Sequence, residues 1–521
     1  MGQDELPSHL AALPGGSWAV WRPAVLRGAG FPATQVLSLA EPACAALADR
    51  LLDLEQEAEL RRLAAIAAVD RQLDELRGAG AWEDRTRRTP LLNQRQALAK
   101  EKLPKEQDPA TADAIDGFRL ARATLLEARS GFEPAYASAR ERTSEEIRRI
   151  AGSNLFREAV TWQNREAVVT GLDEIVRNQG SPRNSRRRQH EDLVASYLQR
   201  CCVKNDTIGF FGPVGWAEIA RDGEPVSIRN GQQLLARREV YFENWCIDTF
   251  AARLASDPAI RPWLPPRLRG GFQLAGQTLH VPGKRSYPLS RDQVLLIAAC
   301  DGTRTAEEIA AELVRAPASP FSAREQVYQA LRELHELGVF VWTLDIPLEL
   351  HPERTLRRLL ERIGPEEPRR RALLAFDELE EARRRVERSA GDAAALETHL
   401  RALEDTFVRL TGEPSRRRLG QYYAARGLVY EDCRRDVEVR FGPELLTRLG
   451  MPLTLLLRSA RWLVGAMARH LTTKLADLHA GIQRRTGSQV VDSAVLVSEA
   501  LSSLSLDRKS ASCFDDLRRD F

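Results

Sequence analysis

Residues 197–213 combine polar side chains that could take part in chemistry with residues of unusual backbone freedom. Their sequence is YLQRCCVKNDTIGFFGP. Arg200 and Lys204 supply positive charge, and Thr207 supplies a hydroxyl group that both donates and accepts hydrogen bonds. Two phenylalanines follow between two glycines, and glycine permits a positive φ and close backbone approach. The run predicts either a polar binding turn or an ordinary helix-to-strand connection that is closed by a buried Phe-Phe plug.

Two arginine clusters could bind anions, because a guanidinium group makes bidentate contacts with phosphate and carboxylate. One cluster lies in a segment of loop-like composition and consists of Arg183, Arg186, Arg187 and Arg188. The other is the pair Arg434-Arg435 within the segment RGLVYEDCRRD. Two interpretations stay open for both clusters, namely a solvated charged face and the capture of a polyanion such as the acceptor end of a tRNA.

The composition narrows the class of protein. A chain of 521 residues with 43% hydrophobic and 29% charged residues is typical of a globular protein with more than one domain. A net charge of +3 gives no global basic field, and only seven of the 76 basic residues are lysine. Seven cysteines without a C-x-x-C motif and eight histidines without ligand spacing indicate neither a disulfide framework nor a metal site.

Further classes are excluded by motifs that the sequence lacks. It contains no P-loop, no G-x-S-x-G elbow and no G-x-G-x-x-G. We therefore predict no bound cofactor, and an acyl donor would arrive already activated. The sequence has no apolar run of membrane-spanning length and no signal-peptide pattern, so we predict a cytoplasmic protein.

The elements that must position these residues are mainly helices. Residues 17–27 are rich in aromatic and β-branched side chains and predict a strand. Strands are also predicted at 214–219 and 225–228, joined as a hairpin by Asp222-Gly223. Helical spacing of apolar residues is found at about 41–77, 95–150, 154–178, 191–203, 352–411 and 444–482. The predicted fold class is α+β, helix-rich, with short antiparallel sheets.

Residues 266–350 predict an embedded winged helix-turn-helix. Two short strands around Gly276 precede helices at 290–299, 306–314 and 322–337, and a strand at 339–342 closes the module. The mixed charge of the third helix is unfavourable for a DNA-binding surface, so we predict no DNA partner. The alternatives are capture of an extended peptide along an exposed strand edge and a purely structural subdomain.

Four segments, taken in chain order, resemble the lantibiotic dehydratase family. They are Trp21-Arg22-Pro23, NLFREA at 154–159, the run at 197–212 and the segment 430–436. The resemblance is to the N-terminal region, which uses glutamyl-tRNA to esterify Ser or Thr of a ribosomally made precursor peptide. A separate C-terminal region of the family eliminates glutamate. A related branch, the peptide aminoacyl-tRNA ligases, instead appends an amino acid to a peptide C-terminus.

The resemblance implies roles for particular residues, with aminoacyl-tRNA as co-substrate and the winged helix as the binder of the precursor's leader. The implied catalytic residues are Thr207 and Lys204. The implied tRNA-binding residues are Arg22, Arg200, Arg434 and Arg435. One departure concerns the family's arginine two places before its threonine, because Asn205 stands there in this chain.

The predicted organisation has three parts: a dehydratase-like region at 1–265, the winged-helix module at 266–350 and a helical region at 351–521 that is incomplete relative to the family. The favoured function is aminoacyl, specifically glutamyl, transfer to a precursor peptide in the biosynthesis of lantibiotic-like natural products. The alternatives are a non-catalytic leader-binding scaffold and a truncated partner of a split dehydratase, with elimination performed by another chain. A winged-helix regulator is disfavoured by the charge of helix 322–337.

Overall fold

A computed structural model describes residues 6–13, 18–178, 183–205, 209–281, 286–317, 319–416 and 427–503. With 63% of the residues in helices and 13% in strands, the predicted α+β class is confirmed. By their internal contacts the residues divide into two compact units, of which the first combines Met1–Gly30 with Asn205–Phe521 and the second is Phe31–Lys204.

The helices within the described residues are numbered α1 to α15 along the chain. They are α1 Pro42–Gly78, α2 Arg85–Ala99, α3 Ala112–Gly152, α4 Asn154–Ala167, α5 Asp173–Arg177, α6 Ser185–Val203, α7 Asn244–Ala255, α8 Arg291–Ala299, α9 Ala306–Arg315, α10 Arg324–Glu336, α11 Pro352–Glu361, α12 Glu366–Arg388, α13 Ala393–Thr411, α14 Pro443–Thr486 and α15 Ser493–Ser503. No helix among the described residues is long and apolar enough to cross a membrane.

The strands of the described part are numbered in the same way. They are β1 Leu10–Ala12, β2 Ala19–Trp21, β3 Pro23–Arg27, β4 Val214–Ile219, β5 Val226–Phe242, β6 Arg267–Leu268, β7 Gln273–Ala275, β8 Thr278–His280, β9 Tyr287–Pro288, β10 Phe340–Val341 and β11 Val429–Phe441. All of them belong to the first unit.

The second unit is helical and contains α1 to α6. Apolar residues at helical spacing on α1, α2 and α3 meet in one core, where Val69, Leu98 and Ile115 are fully buried. Short capping interactions set the helix starts, as in α2, where the Asp84 carboxylate accepts a hydrogen bond of 3.0 Å from the Thr86 backbone N–H. A five-residue π-helical turn, Val168–Leu172, joins α4 to α5.

A four-stranded sheet organises the first unit, with the strand order β3-β4-β11-β5. Strand β4 is antiparallel to β3 and parallel to β11, and β11 is antiparallel to β5. The predicted hairpin of 214–219 with 225–228 is therefore wrong. Its two strands exist, but β11 lies between them and supplies the hydrogen-bond partners that a hairpin would have provided. Strand β5 is also much longer than predicted and runs to Phe242.

The segment 267–341 contains the predicted short strands and three helices. Gly276, with φ +57°, lies between β7 and β8, and Gly338, with φ +75°, follows α10. Thr305 and Glu308 form a capping box at the start of α9. Strand β10 pairs with β6. The elements are confirmed, and their arrangement as a winged helix-turn-helix stays a prediction.

Helices α7, α11, α12 and α13 cover the end of the sheet where β5 finishes. The Trp245 indole of α7 donates a 3.1 Å hydrogen bond to the Gly427 carbonyl, and its ring lies 5.6 Å from that of Phe407 on α13. The Arg383 guanidinium of α12 donates to the carbonyl of Val240. The predicted charged helical region at 352–411 is thus tied to the sheet on one side and solvated on the other.

Candidate functional site

Strand β11 carries the late motif and places its residues on alternating faces of the sheet, as the period of a strand requires. Glu431 and Cys433 point into the core, whereas Asp432 and Arg434 are exposed. The register then shifts twice, between Arg434 and Arg435 and again before Val437. Such a bulge re-aims the side chains next to it.

The bulge is held by Asp436. Four residues of β5, at 231–234, loop out between the paired positions 230 and 235. The Asp436 carboxylate fills the space under this loop and accepts a 3.0 Å hydrogen bond from the Gln233 backbone N–H. Gly231 is required there because a Cβ atom would overlap the Asp436 carboxylate. The Arg-Arg-Asp sequence of the motif therefore makes a shaped irregularity in the centre of the sheet.

The Arg435 side chain, next to the bulge, binds the backbone of the segment that follows β3. Its guanidinium donates to the carbonyl of Ala29 at 3.0 Å and to that of Gly30 at 3.3 Å. Burial lowers the pKa of Arg435. A side chain with these partners stabilises the segment that follows β3, and its predicted contact with tRNA stays a prediction.

Arg22 has a similar position at the other end of β3. Its guanidinium donates a 2.8 Å hydrogen bond to the Ile219 carbonyl at the end of β4. The Nε atom is buried and has no hydrogen-bond partner among the described residues. The arginine thus joins β3 to β4, and its predicted tRNA contact also stays a prediction.

Arg434 is the member of the predicted set that faces solvent on this sheet. It lies opposite Arg237 of β5, and no carboxylate of the described residues pairs with it. Two adjoining cavities of about 350 and 220 Å³ open here, and both are lined by Arg434 and Trp216. The Trp216 side chain is 57% exposed. We call Trp216, Arg237, Tyr241 and Arg434 the Arg434 face.

The Arg434 face carries a guanidinium that is not in an ion pair. Arg237 pairs with Glu239, whereas Arg434 has no ion-pair partner among the described residues. The cavity walls also carry the carboxylates of Asp432, Asp436 and Glu438. Burial and a hydrogen bond to Glu239 raise the pKa of Tyr241 to about 12, so this phenol remains neutral. An exposed indole beside a free guanidinium can stack on a nucleobase and pair with a phosphate.

The glycine-phenylalanine run forms a buried plug below the opposite side of this sheet. Gly209–Phe211 is a single 3-10 turn, and Phe210 and Phe211 are almost fully buried. Glu431 of β11, itself buried, accepts a 2.9 Å hydrogen bond from the Phe210 N–H and forms an ion pair with Arg238. The Arg238 guanidinium lies 5.5 Å from the Phe210 ring centre. The Phe-Phe plug is thus confirmed.

The packing of the plug explains why residue 209 is a glycine. Gly209 has φ +58°, and a Cβ atom there would lie 2.7 Å from Glu431 Oε2. Glu431 was missed in the sequence because a carboxylate in a charged run is ordinarily assigned to the surface. Its only sequence signal is its position in the alternation, two residues before Cys433. Burial, followed by the Glu431 charge, raises the pKa of the Cys433 thiol.

The remaining predicted residues lie elsewhere. Thr207 lies outside the described residues. Lys204 and Arg200 belong to the second unit, at the C-terminal end of α6, where Lys204 is exposed and its backbone N–H donates to the Arg200 carbonyl at 3.0 Å. The structure therefore brings Arg22, Arg434 and Arg435 to one sheet and leaves Lys204 and Arg200 on a helix of the other unit.

The arginine cluster at 183–188 is partly engaged inside the second unit. Glu191 is buried and pairs with Arg183 at 2.7 Å and with Arg187 at 3.2 Å, and it also accepts a hydrogen bond from Ser144. Burial opposes the charge of this carboxylate, but the Ser144 and Arg183 contacts outweigh it and hold the pKa of Glu191 below its ordinary value of 4.5. Arg186 and Arg188 are exposed, so the cluster combines a structural and a solvated part.

No group of three or more His, Cys, Asp or Glu side chains that could hold a metal ion occurs among the described residues.

Comparisons with known proteins now define the class. The family described as "Lantibiotic dehydratase, N terminus" matches residues 153–501, well over half of the chain. The chain belongs to this family. Comparison with curated proteins found no match.

Two solved structures of one glutamylation domain show the same fold. The glutamylation domain of TbtB from thiomuracin biosynthesis is 19% identical, with a TM-score of 0.63 over 94% of this chain and 58% of that chain. The same domain bound to 5'-phosphodesmethylglutamycin gives a TM-score of 0.61 at the same identity and coverage. The tRNA dependent lantibiotic dehydratase MibB from Microbispora sp. 107891 is 15% identical over 59% of this chain and 29% of that chain, with a TM-score of 0.46. The chain thus spans 58% of the length of the TbtB structures that it matches.

Proposed function

We propose that this protein transfers an aminoacyl group, in the first instance glutamyl, from aminoacyl-tRNA to a ribosomally made precursor peptide. Membership of the lantibiotic dehydratase N-terminal family supports the reaction class. The fold shared with a domain whose name states glutamylation supports the glutamyl group. Aminoacyl-tRNA is the co-substrate in this proposal, and elimination of glutamate belongs to a separate region or partner chain.

The observation that carries the proposal is Arg434, which has no ion-pair partner among the described residues, beside the exposed Trp216. The end of a tRNA presents phosphates and unstacked bases, and a guanidinium and an indole are the side chains that recognise these two groups. The adjoining cavities give the acyl group a place next to that contact. Arg22 and Arg435 contribute by holding the ends of β3 and the segment after it, which keeps the Arg434 face in shape.

The test is the intact mass of the cognate precursor peptide after incubation with this protein, tRNA, the matching synthetase, the amino acid and ATP. A gain of glutamyl mass on Ser or Thr identifies the glutamylating branch. A gain of one amino acid at the C-terminus identifies the ligase branch. If the mass of the peptide does not increase, the proposed transfer is contradicted.

A matched pair of variants connects the activity to the site. Arg434→Ala removes one charge-assisted contact, and we expect kcat/KM for aminoacyl-tRNA to fall about 10- to 100-fold. Arg448→Ala is the control, since this arginine is exposed on α14 and pairs only with Glu444 among the described residues. Equal activity of the two variants would remove Arg434 from the donor site.

One observation favours the alternative of a non-catalytic leader-binding scaffold. Two of the predicted tRNA-binding arginines, Arg22 and Arg435, are engaged with main-chain carbonyls. For a scaffold, the precursor peptide binds tightly but its mass does not change in the transfer assay, and Arg434→Ala has no effect on peptide affinity.

A further inference from the structure

A third cavity, of about 300 Å³, lies beside the Arg434 face in the first unit. Its wall includes Glu239 of β5, which also lines the smaller cavity of the Arg434 face. The start of α11 contributes His351, Glu353 and Arg354, and α12 contributes the opposite wall. A cavity of this volume is at the lower end of the range for small-molecule sites.

Glu353 is the chemically unusual member of the wall. The residue is only 8% exposed, and its Oε1 atom lies 3.0 Å from His351 Nδ1. Its Oε2 atom is buried and has no hydrogen-bond partner among the described residues. A buried acceptor without a donor costs about 1–3 kcal/mol, so a group that donated a hydrogen bond to Oε2 would be stabilising.

Three of the four arginines of the wall pair with other groups, whereas Arg354 is exposed and has no ion-pair partner among the described residues. Arg383 donates to the Val240 carbonyl and to Glu380 and Glu387. Arg384 pairs with Glu380 at 3.1 Å. Arg357 pairs with Asp377 and lies 5.0 Å from the centre of the Phe376 ring. The charge of Arg383 reaches Glu353 through space, but no guanidinium of the described residues donates to Oε2.

His351 fixes the orientation of the carboxylate. Its ring is held between Glu353, at 3.0 Å from Nδ1, and Glu239, at 3.5 Å from Nε2. The ring centre lies 5.1 Å from that of Tyr241, a member of the Arg434 face. The imidazole contacts only Oε1, and the second oxygen of Glu353 has no partner among the described residues.

We propose that this cavity binds the primary ammonium group of an α-amino acid or of an amino acid derivative, with Glu353 Oε2 as the acceptor. An ammonium group supplies both the missing hydrogen-bond donor and the countercharge. The same chemistry has two sources, a free amino acid and the aminoacyl group of an activated donor. The binding itself does not depend on the proposed transfer; only the second source does.

Calorimetric titration of the full chain with three compounds tests the proposal. L-glutamate has a free ammonium and a free α-carboxylate. L-isoglutamine keeps the ammonium but has its α-carboxyl as an amide, and thus stands for an esterified aminoacyl group. Glutaramic acid is the same molecule as isoglutamine without the ammonium. We expect glutaramic acid to bind about 10- to 100-fold more weakly than isoglutamine.

Two variants locate the contact. Glu353→Gln keeps the size of the side chain and removes its charge. It should weaken the binding of isoglutamine by about the same factor and leave the binding of glutaramic acid unchanged. Glu366→Gln is the matched control at an exposed position on α12. Thermal unfolding of both variants shows whether Glu353→Gln is folded, and the comparison of ligands on the unaltered protein needs no variant.

Each result of these titrations either supports or overturns the proposal. A preference for isoglutamine over glutamate supports the proposal and identifies the aminoacyl group as the source, whereas the reverse preference supports it with a free amino acid as the ligand. Equal binding of isoglutamine and glutaramic acid, equal effects of the two variants, or no binding of any of the three compounds overturns it. If ammonium-dependent binding is found and peptide transfer is absent, the proposed function fails alone.

Discussion

Replacement of Glu431 by alanine is the perturbation with the largest effect that the structure defines. The carboxylate is fully buried, and its partners include the Phe210 N–H at 2.9 Å, the Arg238 guanidinium and the Cys433 side chain. Removing one member of a buried ion pair costs about 3–5 kcal/mol, because the other charge is left without compensation. The Arg238 side chain remains 18% exposed, so water offsets part of this, and we expect about 3 kcal/mol, toward the lower end of that range.

Hydrogen exchange measured by mass spectrometry is the appropriate assay, since it reports the opening of the segment around Phe210 and of β11 separately from the rest of the chain. A loss of about 3 kcal/mol corresponds to roughly 150-fold faster exchange of the amides around Phe210 and of strand β11. The control is Glu438→Ala on the same strand, whose side chain is 60% exposed and lies 4.0 Å from Arg229. An exposed pair of this kind contributes about 0–1 kcal/mol.

The result that would refute the reasoning is equal exchange in the two variants. A second comparison separates charge from packing. Glu431→Gln keeps the shape of the side chain and one acceptor oxygen for Phe210, so it should lose the ion pair alone and fall between Glu431→Ala and the control. A glutamine as damaging as alanine would show that the hydrogen bond to Phe210 contributes nothing.

Three further predictions follow from the geometry. Gly209→Ala should lower the thermal stability of the protein more than Gly276→Ala. Both glycines have positive φ, where an alanine costs about 1–2 kcal/mol. Only at Gly209 would the new Cβ meet a carboxylate, Glu431 Oε2 at 2.7 Å, whereas Gly276 faces open space. Glu191 should contribute stability in full above pH 4.5 and lose it as the pH falls through its lowered folded pKa; urea titrations at a series of pH values should show a shallower acid dependence for Glu191→Gln, and parallel curves would contradict this. Tyr241, whose folded pKa is raised from 10.0 to about 12, should retain its proton in the native state, so its contribution is present below pH 10 and is lost as the pH rises toward 12; absorbance at 295 nm of the unaltered protein against Tyr241→Phe checks it, and a phenol that titrates near pH 10 would contradict it.

The helices were predictable because their apolar spacing is local. The segments expected at about 41–77 and 444–482 are α1, Pro42–Gly78, and α14, Pro443–Thr486. The capping box of Thr305 and Glu308 also acts within one turn. Such signals depend on neighbours in the sequence, which a single sequence contains.

The central sheet was harder for a physical reason. Strand β11 alternates in burial, but its buried positions include Glu431, so the hydrophobic alternation that marks a strand is missing. The preference of consecutive strands to pair led to the β4–β5 hairpin, which the insertion of β11 overrides. That insertion depends on contacts across more than 200 residues, such as the pairing of Arg434 with Val214.

Only part of the candidate site was predicted, because the rest also depends on contacts between residues that are distant in the chain. The arginine pair in the late motif was predicted as a unit, but the bulge separates its members, and only Arg434 faces solvent. Trp216 and Glu353 carried no signal, because one is an isolated aromatic in a strand and the other an ordinary acid at a helix start. Their significance comes from neighbours distant in the chain.

The position of β11 also imposes an order on folding during synthesis. Phe31–Lys204 is continuous in sequence and can complete its helical core as soon as it leaves the ribosome. Strands β3, β4 and β5 emerge early but cannot close their sheet until residue 441 has been made. In the interval the inner edges of β4 and β5 are open, which invites aggregation. The polar and basic sequence RNGQQLLARRE of β5 is the protection that natural strands use against it.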